Sequence, residues 1–522
     1  MSKHIKIAFG LLAVGVIAIV GGKFALPLLD DFRQTDSSDA RDTKGTITIG
    51  YDNWVGYFPL CSPEMKKRLR QSGYLLECID DNANYADRYK KLSDGKYDFA
   101  VGTVDSYLLN GEAQDYPGVI TAVIDESKGG DAIVAWEDKV SSLDDLKSNT
   151  DLKIAFTPGS PSDHLLKAIS VHFDIPSLRN RRGWPIETDG SSEALKKLLN
   201  KQSDVSVLWE PDVSKALAQK GVKRILSTED TKQLIVDILL VNRRFSSRSP
   251  EVVDTVLRHY FRTLKHYRDN ESQLIADVAN ASDLNTESTK ALLSGVHWAS
   301  LTDNAQRWFG IVSSSLPDEA LIDTIDSTVE ILTDYGDFSR NPIPNNDPYR
   351  LTNSSFVKRL YDKTSGASAF GQTRKANQGA YENSLEKSFE SLSDKKWSKL
   401  REIGTLKIRP IVFASGTYSL TLDGKAQLDA AAENLKHYPN YRLEIRGHTG
   451  LRGDKDKNKT LSADRAEAVK RYINVTYSVD SDRMRSLGFG SERPLSKKNG
   501  ESSRAYNYRL PRVELILVAE EL

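Results

Sequence analysis

Polar and aromatic side chains follow four short, β-branched stretches of the sequence, where predicted strands end. The chain reads DNWVGY after residues 46–51, GTVDS after 97–101, TPGSPSDH after 153–156 and WEPD after 205–208. Ligands of open parallel sheets bind beyond the carboxyl ends of the strands, so these groups are expected to gather at one edge. Indole faces, hydroxyl donors and a few carboxylates can hold a small molecule, and the pattern therefore predicts a binding cleft.

The segment Gly159–His164 contains a serine, an aspartate and a histidine, which are the residue types of a hydrolytic triad. No G-x-S-x-G elbow accompanies them, and Ser or Asp at a helix start is more often a cap. The sequence also has no Walker loop, zinc spacing or Cys/His cluster. We therefore predict a non-enzyme without cofactor or metal. The Gly159-Ser160 amides predict a contact with an anionic or carbonyl group of the ligand.

Strands and helices that would position these groups alternate along the chain. The predicted strands are Thr46–Tyr51, Tyr74–Asp80, Tyr97–Val101, Ile120–Ile124, Ala132–Trp136, Lys153–Phe156, Val205–Trp209 and Leu234–Asn242. The predicted helices are Ser62–Gly73, Tyr85–Asp94, His164–His172, Glu193–Asn200 and most of Glu251–Leu332. Alternation with short turns predicts an α/β fold with a mostly parallel sheet covered on both faces.

Four longer stretches, three of which contain segments quoted above, follow one another in a recognisable order: LSDGKYDFAVGTVDSYLLNG, VIDESKGGDAIVA, SLDDLKSNTDLKIAFTPGSPSDHLL and LWEPDVSKALAQKG. They resemble the solute-binding proteins of ABC importers, in the branch of nitrate, sulfonate and pyrimidine-precursor receptors. The resemblance covers residues 46–363 and implies two lobes closing on a small molecule, with the second lobe at about 131–240. It implies a crossover at 123–131 and a return at 234–242. The ligand-binding residues that it implies are Trp54, Gly56, Thr103, Asp105, Ser127, Asp131, Ser160, Trp209 and Asp212.

Each of these residues also has a structural interpretation that the sequence leaves open. The two tryptophans fit a hydrophobic core, and the acids that precede helices fit caps. Ser127 and Asp131 fit a turn between the lobes. The sequence therefore predicts the position of the cleft and leaves the ligand unnamed.

The end of the chain contains the ordered pattern LEIRGHTG, NKTLSADRAEAVKRYI and LGFGSERPL. The predicted elements here are the strands Leu406–Phe413, Arg442–Arg446 and Val513–Val518 and the helices Leu428–His437 and Ala463–Ile473. The pattern resembles the OmpA-like peptidoglycan-binding domain, a small α/β unit, over residues 404–522. The resemblance implies that Arg465, Asn458 and Arg512 contact peptidoglycan.

Two departures from that family's pattern bear on wall binding. The family has an acid directly after Gly-His-Thr, which together with an arginine binds the charged ends of diaminopimelate; here Gly450 stands in its place. Without the carboxylate, the ammonium of the ligand is unpaired. Leu510 and Pro511 replace the Asn and first Arg of the family's Asn-Arg-Arg-Val. Asp454 or Asp456 could substitute for the acid, and a protein-docking or structural role is the alternative.

The N-terminus is basic and then apolar. Lys3 and Lys6 precede Ile7–Gly22, and a second apolar piece ends at Leu29. No A-x-A-like cleavage pattern follows, so residues 1–29 are predicted to be an uncleaved transmembrane signal anchor, with a cleaved signal as the alternative. Residues 30–45 are a predicted polar tether. The rest of the chain would then lie in the periplasm, attached to the inner membrane by a single pass.

Residues 364–403 are predicted to form a linker, turn-rich at 365–379, and a charged helix over Tyr381–Glu402. The two cysteines, Cys61 and Cys78, fall near one sheet edge, with Cys61 beginning a helix and Cys78 late in a strand. A disulfide and two buried thiols are both compatible with that placement.

The charge balance argues against nucleic acid as a partner. Lys plus Arg and Asp plus Glu each number 72, so the chain has no net charge, and it has no basic block. The features together predict a membrane-tethered periplasmic solute-binding protein, for ABC-type import or sensing, attached to the envelope through its OmpA-like domain. Its predicted partners are a small-molecule ligand, an ABC permease or other inner-membrane protein, and peptidoglycan. The alternative is an envelope scaffold whose cleft or wall site is degenerate.

Overall fold

The computed structural model describes residues 43–149, 151–282, 284–311, 319–363, 389–414 and 416–520. The predicted membrane anchor, nearly all of the tether and the turn-rich linker lie outside these residues. Within the described ranges, no helix combines the length and apolar character needed to cross a bilayer.

Fifteen strands are present in the described residues. They are β1 Gly45–Tyr51, β2 Tyr74–Asp80, β3 Phe99–Thr103, β4 Gly118–Ser127, β5 Asp131–Trp136, β6 Ile154–Phe156, β7 Pro185–Glu187, β8 Val205–Trp209, β9 Val222–Ser227, β10 Val236–Asn242, β11 Val296–Trp298, β12 Arg401–Thr405, β13 Arg442–His448, β14 Met484–Gly488 and β15 Arg512–Ala519. They form three separate sheets.

Helices cover the sheets. Those of the first two sheets are Phe58–Cys61, Pro63–Gln71, Tyr85–Ser93, Val104–Gly111, Asp145–Ser148, Pro161–His172, Pro176–Arg179, Ser191–Leu199, Asp212–Leu217, Arg243–Arg248, Pro250–Asp269, Glu271–Ser282, Thr286–Ser294, Leu301–Asp303, Ala320–Tyr335 and Ser355–Lys363. Those around the third sheet are Asp394–Trp397, Leu422–Lys436, Lys455–Tyr477 and Ser503–Arg509.

The first lobe contains a six-stranded sheet in the order β11-β4-β10-β3-β1-β2. β1 runs parallel to β2 and β3, whereas β10 lies antiparallel between β3 and β4. The prediction of a mostly parallel sheet is therefore wrong for β10, β4 and β11. β10 returns from the second lobe, so it enters the sheet at the end where β3 and β4 leave it and runs in the opposite direction. The apolar runs of β3, β4 and β10 are buried along their whole length, as expected for strands covered on both faces.

The second lobe contains a five-stranded sheet in the order β7-β6-β8-β5-β9. The chain enters it after β4, through residues 128–130, and leaves it after β9, through residues 228–235. The predicted crossover and return therefore lie where two separate sheets are joined, and the two-lobed prediction is confirmed. The helix Ala320–Tyr335 adds a third link, because it packs in the core of the first lobe while the Tyr335 hydroxyl donates to Leu178 O of the second (2.8 Å).

Cys61 and Cys78 form a disulfide, with their Cα atoms 6.1 Å apart. Cys61 does not begin a helix, as predicted, but ends the short helix Phe58–Cys61. Ser62 caps the next helix through a bond from the Met65 N–H, and Pro63 begins it. The disulfide thus ties the segment after β1 to β2.

The third sheet, in the order β12-β15-β13-β14, belongs to the C-terminal domain. The predicted strand Leu406–Phe413 is wrong: the edge strand is β12, which pairs with β15, and the predicted segment contains Pro410, which has no N–H for a ladder. The predicted charged helix is wrong over its last residues, since Arg401 and Glu402 lie in β12. Within 389–402, the helix is limited to Asp394–Trp397.

The C-terminal domain and the second lobe share one hydrophobic core. The rings of Phe173 and Tyr438 are 5.3 Å apart, and Tyr438 is fully buried. The Tyr438 hydroxyl also lies 2.8 Å from His172 Nδ1, and the Leu143 N–H donates to Ile403 O. Because apolar contacts and main-chain hydrogen bonds both cross this boundary, the second lobe and the C-terminal domain form one packed body.

Candidate functional site

Acidic side chains lie at the strand ends where the two lobes meet. In the first lobe, Asp52 follows β1, Asp105 follows β3, and Asp125 lies near the end of β4. In the second lobe, Asp131 begins β5 and Glu210 follows β8. All five side chains are buried. The cleft is therefore lined by carboxylates, a group that is rarely buried without a partner.

Asp52 is neutralised by a buried arginine. Arg88 Nη2 lies 3.0 Å from Asp52 Oδ2, and the same guanidinium pairs with Asp81 and donates to Val101 O (3.0 Å). The Tyr85 hydroxyl donates to Asp52 as well. Arg88 is fully buried, four of its five N–H donors are used inside the first lobe, and its charge is balanced by Asp52 and Asp81.

Trp54 and Gly56 lie against a second pair of acids, Asp125 and Asp237. The Trp54 indole N–H donates to Asp125 (3.3 Å), and the Tyr57 hydroxyl donates to Asp237. A side-chain carbon at Gly56 would overlap Asp125 Oδ2 and Trp54 Nε1, so this close approach requires glycine. Burial raises the pKa of Asp125 to about 8, and burial together with the neighbouring Asp125 raises the pKa of Asp237 well above its ordinary value. The pair therefore retains a proton at neutral pH.

Ser127 and Asp131 form hydrogen bonds between the two segments, 128–130 and 228–235, that connect the lobes. The Ser127 hydroxyl donates to Asp131 Oδ2 (2.6 Å) and lies 2.8 Å from Thr228 Oγ1, while the Asp131 N–H donates to the Thr228 hydroxyl (3.1 Å). Burial raises the pKa of Asp131 to about 7, and the negative charges of Asp105 and Glu210 add to the effect. Asp131 thus lies at the hinge, within electrostatic reach of acids from both lobes.

Asp105 is the least satisfied acid of the cleft. It is 1% exposed, and neither carboxylate oxygen meets a donor in hydrogen-bonding geometry among the described residues. Burial raises its pKa to about 7, although the nearby Thr103 hydroxyl and the Lys167 charge act in the opposite direction. An orphaned buried carboxylate costs free energy, so its presence indicates a partner that the protein itself does not supply.

The lobes are closed over these groups. The Trp209 indole N–H, from the second lobe, donates to Asn53 Oδ1 of the first (3.3 Å), and Asn110 Nδ2 donates to Gly159 O (3.2 Å). Trp209 is 5% exposed and packs into the core cluster of the first lobe. A molecule held between the lobes would therefore be enclosed.

Three of the residues implied by the resemblance have helix-terminal roles. Thr103 caps the helix Val104–Gly111, in a reciprocal bond pair with Ser106. Asp212 accepts from the Ser192 hydroxyl and pairs with Lys215 at the start of its helix. Ser160 is fully buried, and its hydroxyl donates to Thr157 O (2.6 Å).

The Gly159 amide is not available to a ligand. Its N–H donates to the Asp163 carboxylate (3.0 Å), so an acid of the same helix occupies the predicted anion contact. The prediction of an anion at this helix start is wrong for Gly159. His164, also on this helix, is fully buried with both ring nitrogens unpartnered, and burial lowers its pKa to about 3, so it adds no positive charge at neutral pH.

Sequence reasoning missed Asp125, Asp237, Tyr57 and Asn53. The two acids interrupt otherwise continuous apolar strands, VITAVIDES and VDILLVN, and a charge in such a strand is a signal that could have found them. Asn53 and Tyr57 belong to the DNWVGY segment that the sequence places at the cleft, but they were not among the residues chosen there as ligand contacts.

In the C-terminal domain, the three residues implied to bind peptidoglycan have internal partners. Arg465 Nε donates to Thr417 O (3.0 Å), and its guanidinium lies 5.0 Å from the centre of the Phe413 ring. Asn458 Nδ2 donates to Arg452 O (3.0 Å). Arg512 Nε donates to Glu514 Oε1 (2.7 Å). A ligand at this site would have to compete with, or add to, these bonds.

Gly450 lies in open space. A side-chain carbon there would meet only Pro511 Cγ, at 3.9 Å, so the backbone can accept an acid at this position. Of the two possible substitutes, Asp454 caps the helix Lys455–Tyr477 by accepting from the Lys457 N–H (3.0 Å). Asp456 instead lines an open groove of about 510 Å³ with Asp464 and Thr417.

Larger grooves occur away from the cleft. One of about 1070 Å³ separates the helix Ala320–Tyr335 from the helix Leu422–Lys436, and one of about 700 Å³ lies along the C-terminal half of Lys455–Tyr477. None of the residues that line these grooves has a buried side chain without a hydrogen-bond partner. The unsatisfied carboxylate lies in the closed cleft, which is why we take the cleft as the candidate site.

Solved structures of solute-binding proteins are similar to the two-lobed part of the chain. The alkanesulfonate-binding protein SsuA of Xanthomonas axonopodis pv. citri, bound to MOPS, is 15% identical, with a TM-score of 0.43 over 56% of this chain and 94% of that one. The nitrate-binding protein NrtA of Synechocystis PCC 6803 is 12% identical, with a TM-score of 0.46 over 66% and 100%. The two-lobed architecture rests on the sheet orders and crossings described above.

The C-terminal domain has sequence relatives in the bacterial envelope. The peptidoglycan-associated lipoprotein of Rhizobium meliloti is 36% identical over 99 residues, which are 19% of this chain and 56% of that protein. Outer membrane protein Omp38 of Acinetobacter baumannii is 35% identical over 86 residues, 16% of this chain and 24% of that protein. The chain thus spans about half the length or less of these curated relatives. Residues 412–508 match the OmpA family, and the chain therefore ends in an OmpA domain.

Proposed function

We propose that the chain is a small-molecule receptor of the cell envelope. Its two lobes enclose a ligand, and its OmpA domain attaches it to the envelope. The observation that carries the proposal is Asp105, a buried carboxylate without a hydrogen-bond donor, at the edge where both lobe sheets end. A scaffold with no ligand would gain stability by replacing this acid, whereas a receptor needs it.

The test is a thermal-shift screen of the full-length chain in detergent against a broad metabolite panel. A ligand present at a hundred times its dissociation constant stabilises the folded state by about 2.7 kcal/mol. We expect at least one such stabilisation. Silence across the panel contradicts the receptor and favours the alternative of a scaffold with a degenerate cleft.

Trp209→Phe tests whether the hydrogen bond between Trp209 and Asn53 helps to hold the two lobes closed over a ligand. The variant keeps an aromatic ring but loses the N–H that bonds Asn53 across the cleft, so we expect ligand affinity to fall about three- to tenfold, the value of one hydrogen bond. Trp136→Phe is the matched control. Trp209 lies opposite the first residue of β5, whereas Trp136 is the last residue of that strand, and its indole N–H donates to Leu198 O within the second lobe. Titration calorimetry of both variants measures the difference; equal affinities would exclude the Asn53 bond from closure.

We further propose that the OmpA domain contacts peptidoglycan, and does so weakly. The relatives of this domain include proteins named peptidoglycan-associated lipoproteins, which supports the wall as the target. Gly450 removes a carboxylate from the implied site, and Arg465 is already bonded to Thr417 O. Both features reduce the affinity expected for a zwitterionic amino acid such as diaminopimelate.

Gly450→Asp is therefore expected to tighten wall binding. A side-chain carbon fits at this position without a clash, and the new carboxylate would accept the ligand's ammonium, which at about 1.5–3 kcal/mol for a charged hydrogen bond corresponds to about tenfold or more. Co-sedimentation of the full-length chain with insoluble peptidoglycan measures the change, and Gly450→Asn is the isosteric, uncharged control. If Asp and Asn variants sediment alike, the carboxylate is irrelevant and another partner must be sought for the domain.

The core that the second lobe shares with the OmpA domain bears on which lobe can move. Because the second lobe and the OmpA domain share a core, attachment through the OmpA domain would fix the second lobe and leave the first lobe to move. We propose that ligand-driven movement of the first lobe is presented to an inner-membrane partner, an ABC permease or a sensor. Crosslinking in the presence and absence of ligand tests this, and a partner captured equally in both states would contradict it.

A further inference from the structure

The charges of the cleft carry information about the ligand. Within the described residues, four carboxylates of the cleft form no ion pair: Asp105, Asp125, Asp131 and Asp237. Asp105, Asp131 and Asp237 are each no more than 3% exposed, and Asp125 is fully buried. Like charges at such depth repel and lose hydration, so acids are gathered here only at a cost in free energy.

The cations nearest the cleft are already used. Arg88 pairs with Asp52 and Asp81. Lys167 pairs with Asp163 (3.0 Å) and Asp337 (2.8 Å). The charges of Arg88 and Lys167 are therefore already balanced before an anion could enter the cleft.

The remaining cations at the hinge are paired as well. Lys128 and Arg307 contact the two oxygens of Glu126, at 3.0 and 3.1 Å. Although burial opposes ionisation, these two charges lower the pKa of Glu126 below its ordinary value. The charge of Glu126 is thus balanced by two cations of the protein, unlike the four carboxylates above. We take the missing cations at those four carboxylates as a sign that a ligand supplies the positive charge.

Aromatic rings flank the unbalanced acids. The Trp54 indole is anchored by its bond to Asp125, and its six-membered ring lies so close to Gly130 that a side-chain carbon at Gly130 would overlap it. The ring therefore lies beside the residue that precedes Asp131. Indole faces attract organic cations through their quadrupole, and they add affinity where the charge is desolvated.

Building on the proposed function, we propose that the enclosed ligand is a small organic cation bearing a primary or quaternary ammonium group, held between Asp105 and Asp131. Asp105 supplies two buried oxygens that no donor of the described residues reaches, and Asp131 supplies a second buried carboxylate at the point where the chain enters the second lobe. The ammonium would meet the carboxylates through charge-assisted bonds or contacts, with the Trp54 ring beside it. Asp125 and Asp237, which lie opposite each other on β4 and β10, add two further acids next to Trp54.

An organic cation fits better than a metal ion. Among the described residues, no three His, Cys, Asp or Glu side chains converge closely enough to hold a metal. Divalent cations need several oxygens within about 2.0–2.6 Å of one point. Carboxylates spread along a cleft next to an indole instead match an extended or bulky organic cation.

The experiment compares isosteric probes that differ in charge, by titration calorimetry on the full-length chain. The cations are choline and putrescine, and their neutral counterparts are 3,3-dimethylbutan-1-ol and butane-1,4-diol; the rest of the panel consists of further primary and quaternary ammonium compounds, ethanesulfonate, nitrate, and magnesium and calcium chloride. We expect an ammonium compound to bind, its neutral counterpart to bind at least about tenfold more weakly, and Asp105→Asn to lose the binding.

Each contrary outcome has its own meaning. Binding of ethanesulfonate or nitrate that Asp105→Asn does not change would contradict a cationic ligand but would still support a small-molecule receptor. Binding of a metal salt alone would overturn the organic ligand. Binding of an ammonium compound that Asp105→Asn leaves unchanged would overturn the site. If no member of this panel binds, the preference for an organic cation is wrong, and the broad metabolite screen decides separately whether the protein is a receptor.

Discussion

Asp105→Asn is expected to stabilise the ligand-free protein increasingly as the pH rises. The folded-state pKa of Asp105 is about 7, above that of an exposed aspartate, so between about pH 4 and pH 7 the folded protein holds a proton that the unfolded chain has lost. The free energy of unfolding of the wild type therefore falls with pH across this window. The effect of Asp105 on stability is most unfavourable above pH 7.

The charged groups that act on Asp105 lie on the second lobe. Burial has the largest effect on the Asp105 pKa, the Lys167 charge favours ionisation, and Asp163 opposes it. The charge of Asp105 in turn raises the pKa of Asp131. Since about two pH units of the window lie between pH 5 and pH 7, the stability of Asp105→Asn relative to wild type should rise by roughly 3 kcal/mol between pH 5 and pH 8.

Urea unfolding of the two full-length proteins at several pH values measures this difference. Asp189→Asn is the matched control, because Asp189 is exposed on the second lobe, and its effect should stay within about 0.5 kcal/mol at every pH. A difference between Asp105→Asn and wild type that does not change with pH would mean that Asp105 titrates as an ordinary carboxyl. The argument that it awaits a ligand would then be lost.

Tyr438→Ala is expected to separate the OmpA domain from the second lobe. The Tyr438 ring is fully buried between Phe173 and Tyr441, and its hydroxyl bonds His172. Removing a buried aromatic ring costs about 3–5 kcal/mol. Because this ring serves both modules, the loss weakens the joint core itself.

Differential scanning calorimetry of the full-length chain detects the effect. In the wild type, the second lobe and the OmpA domain should unfold in one transition, and in Tyr438→Ala a separate transition should appear at lower temperature. Tyr508→Ala makes the same change on an exposed surface of the OmpA domain and should leave the trace unchanged. Independent unfolding in the wild type would show that the two modules are merely neighbours, and the fixed second lobe proposed above would be abandoned.

Much of the fold could be predicted because the apolar patterning is strong. The β-branched runs that became β1, β3, β5 and β8 are short, apolar and separated by helices, so their order predicts an α/β fold. The division into two lobes was implied by the resemblance to solute-binding proteins. The antiparallel placement of β10 could not be predicted from its own residues, because it depends on the return of the chain from the second lobe. Likewise, the polar sequence REIGT gives no local signal for β12, which forms because β15 offers it an edge.

The ligand-binding role of the residues chosen from the sequence stays a prediction. Trp54 and Asp105 follow strands, Trp209 ends β8, and all three side chains are buried. The same rule selected Thr103 and Asp212, which cap or begin helices, since both roles favour the same residue types at the same place. The unbalanced charge could not be read from the sequence, because it depends on which acids Arg88 and Lys167 neutralise in three dimensions.

The most direct test of the receptor is a four-way comparison of melting temperature, using wild type and Asp105→Asn, each with and without the ammonium compounds pooled at saturating concentration. At pH 8 we expect the pool to stabilise the wild type and to have no effect on Asp105→Asn. We also expect the ligand-free variant to melt at a higher temperature than the ligand-free wild type. Equal shifts in both proteins, or no shift in either together with a less stable variant, would contradict a cation site at Asp105.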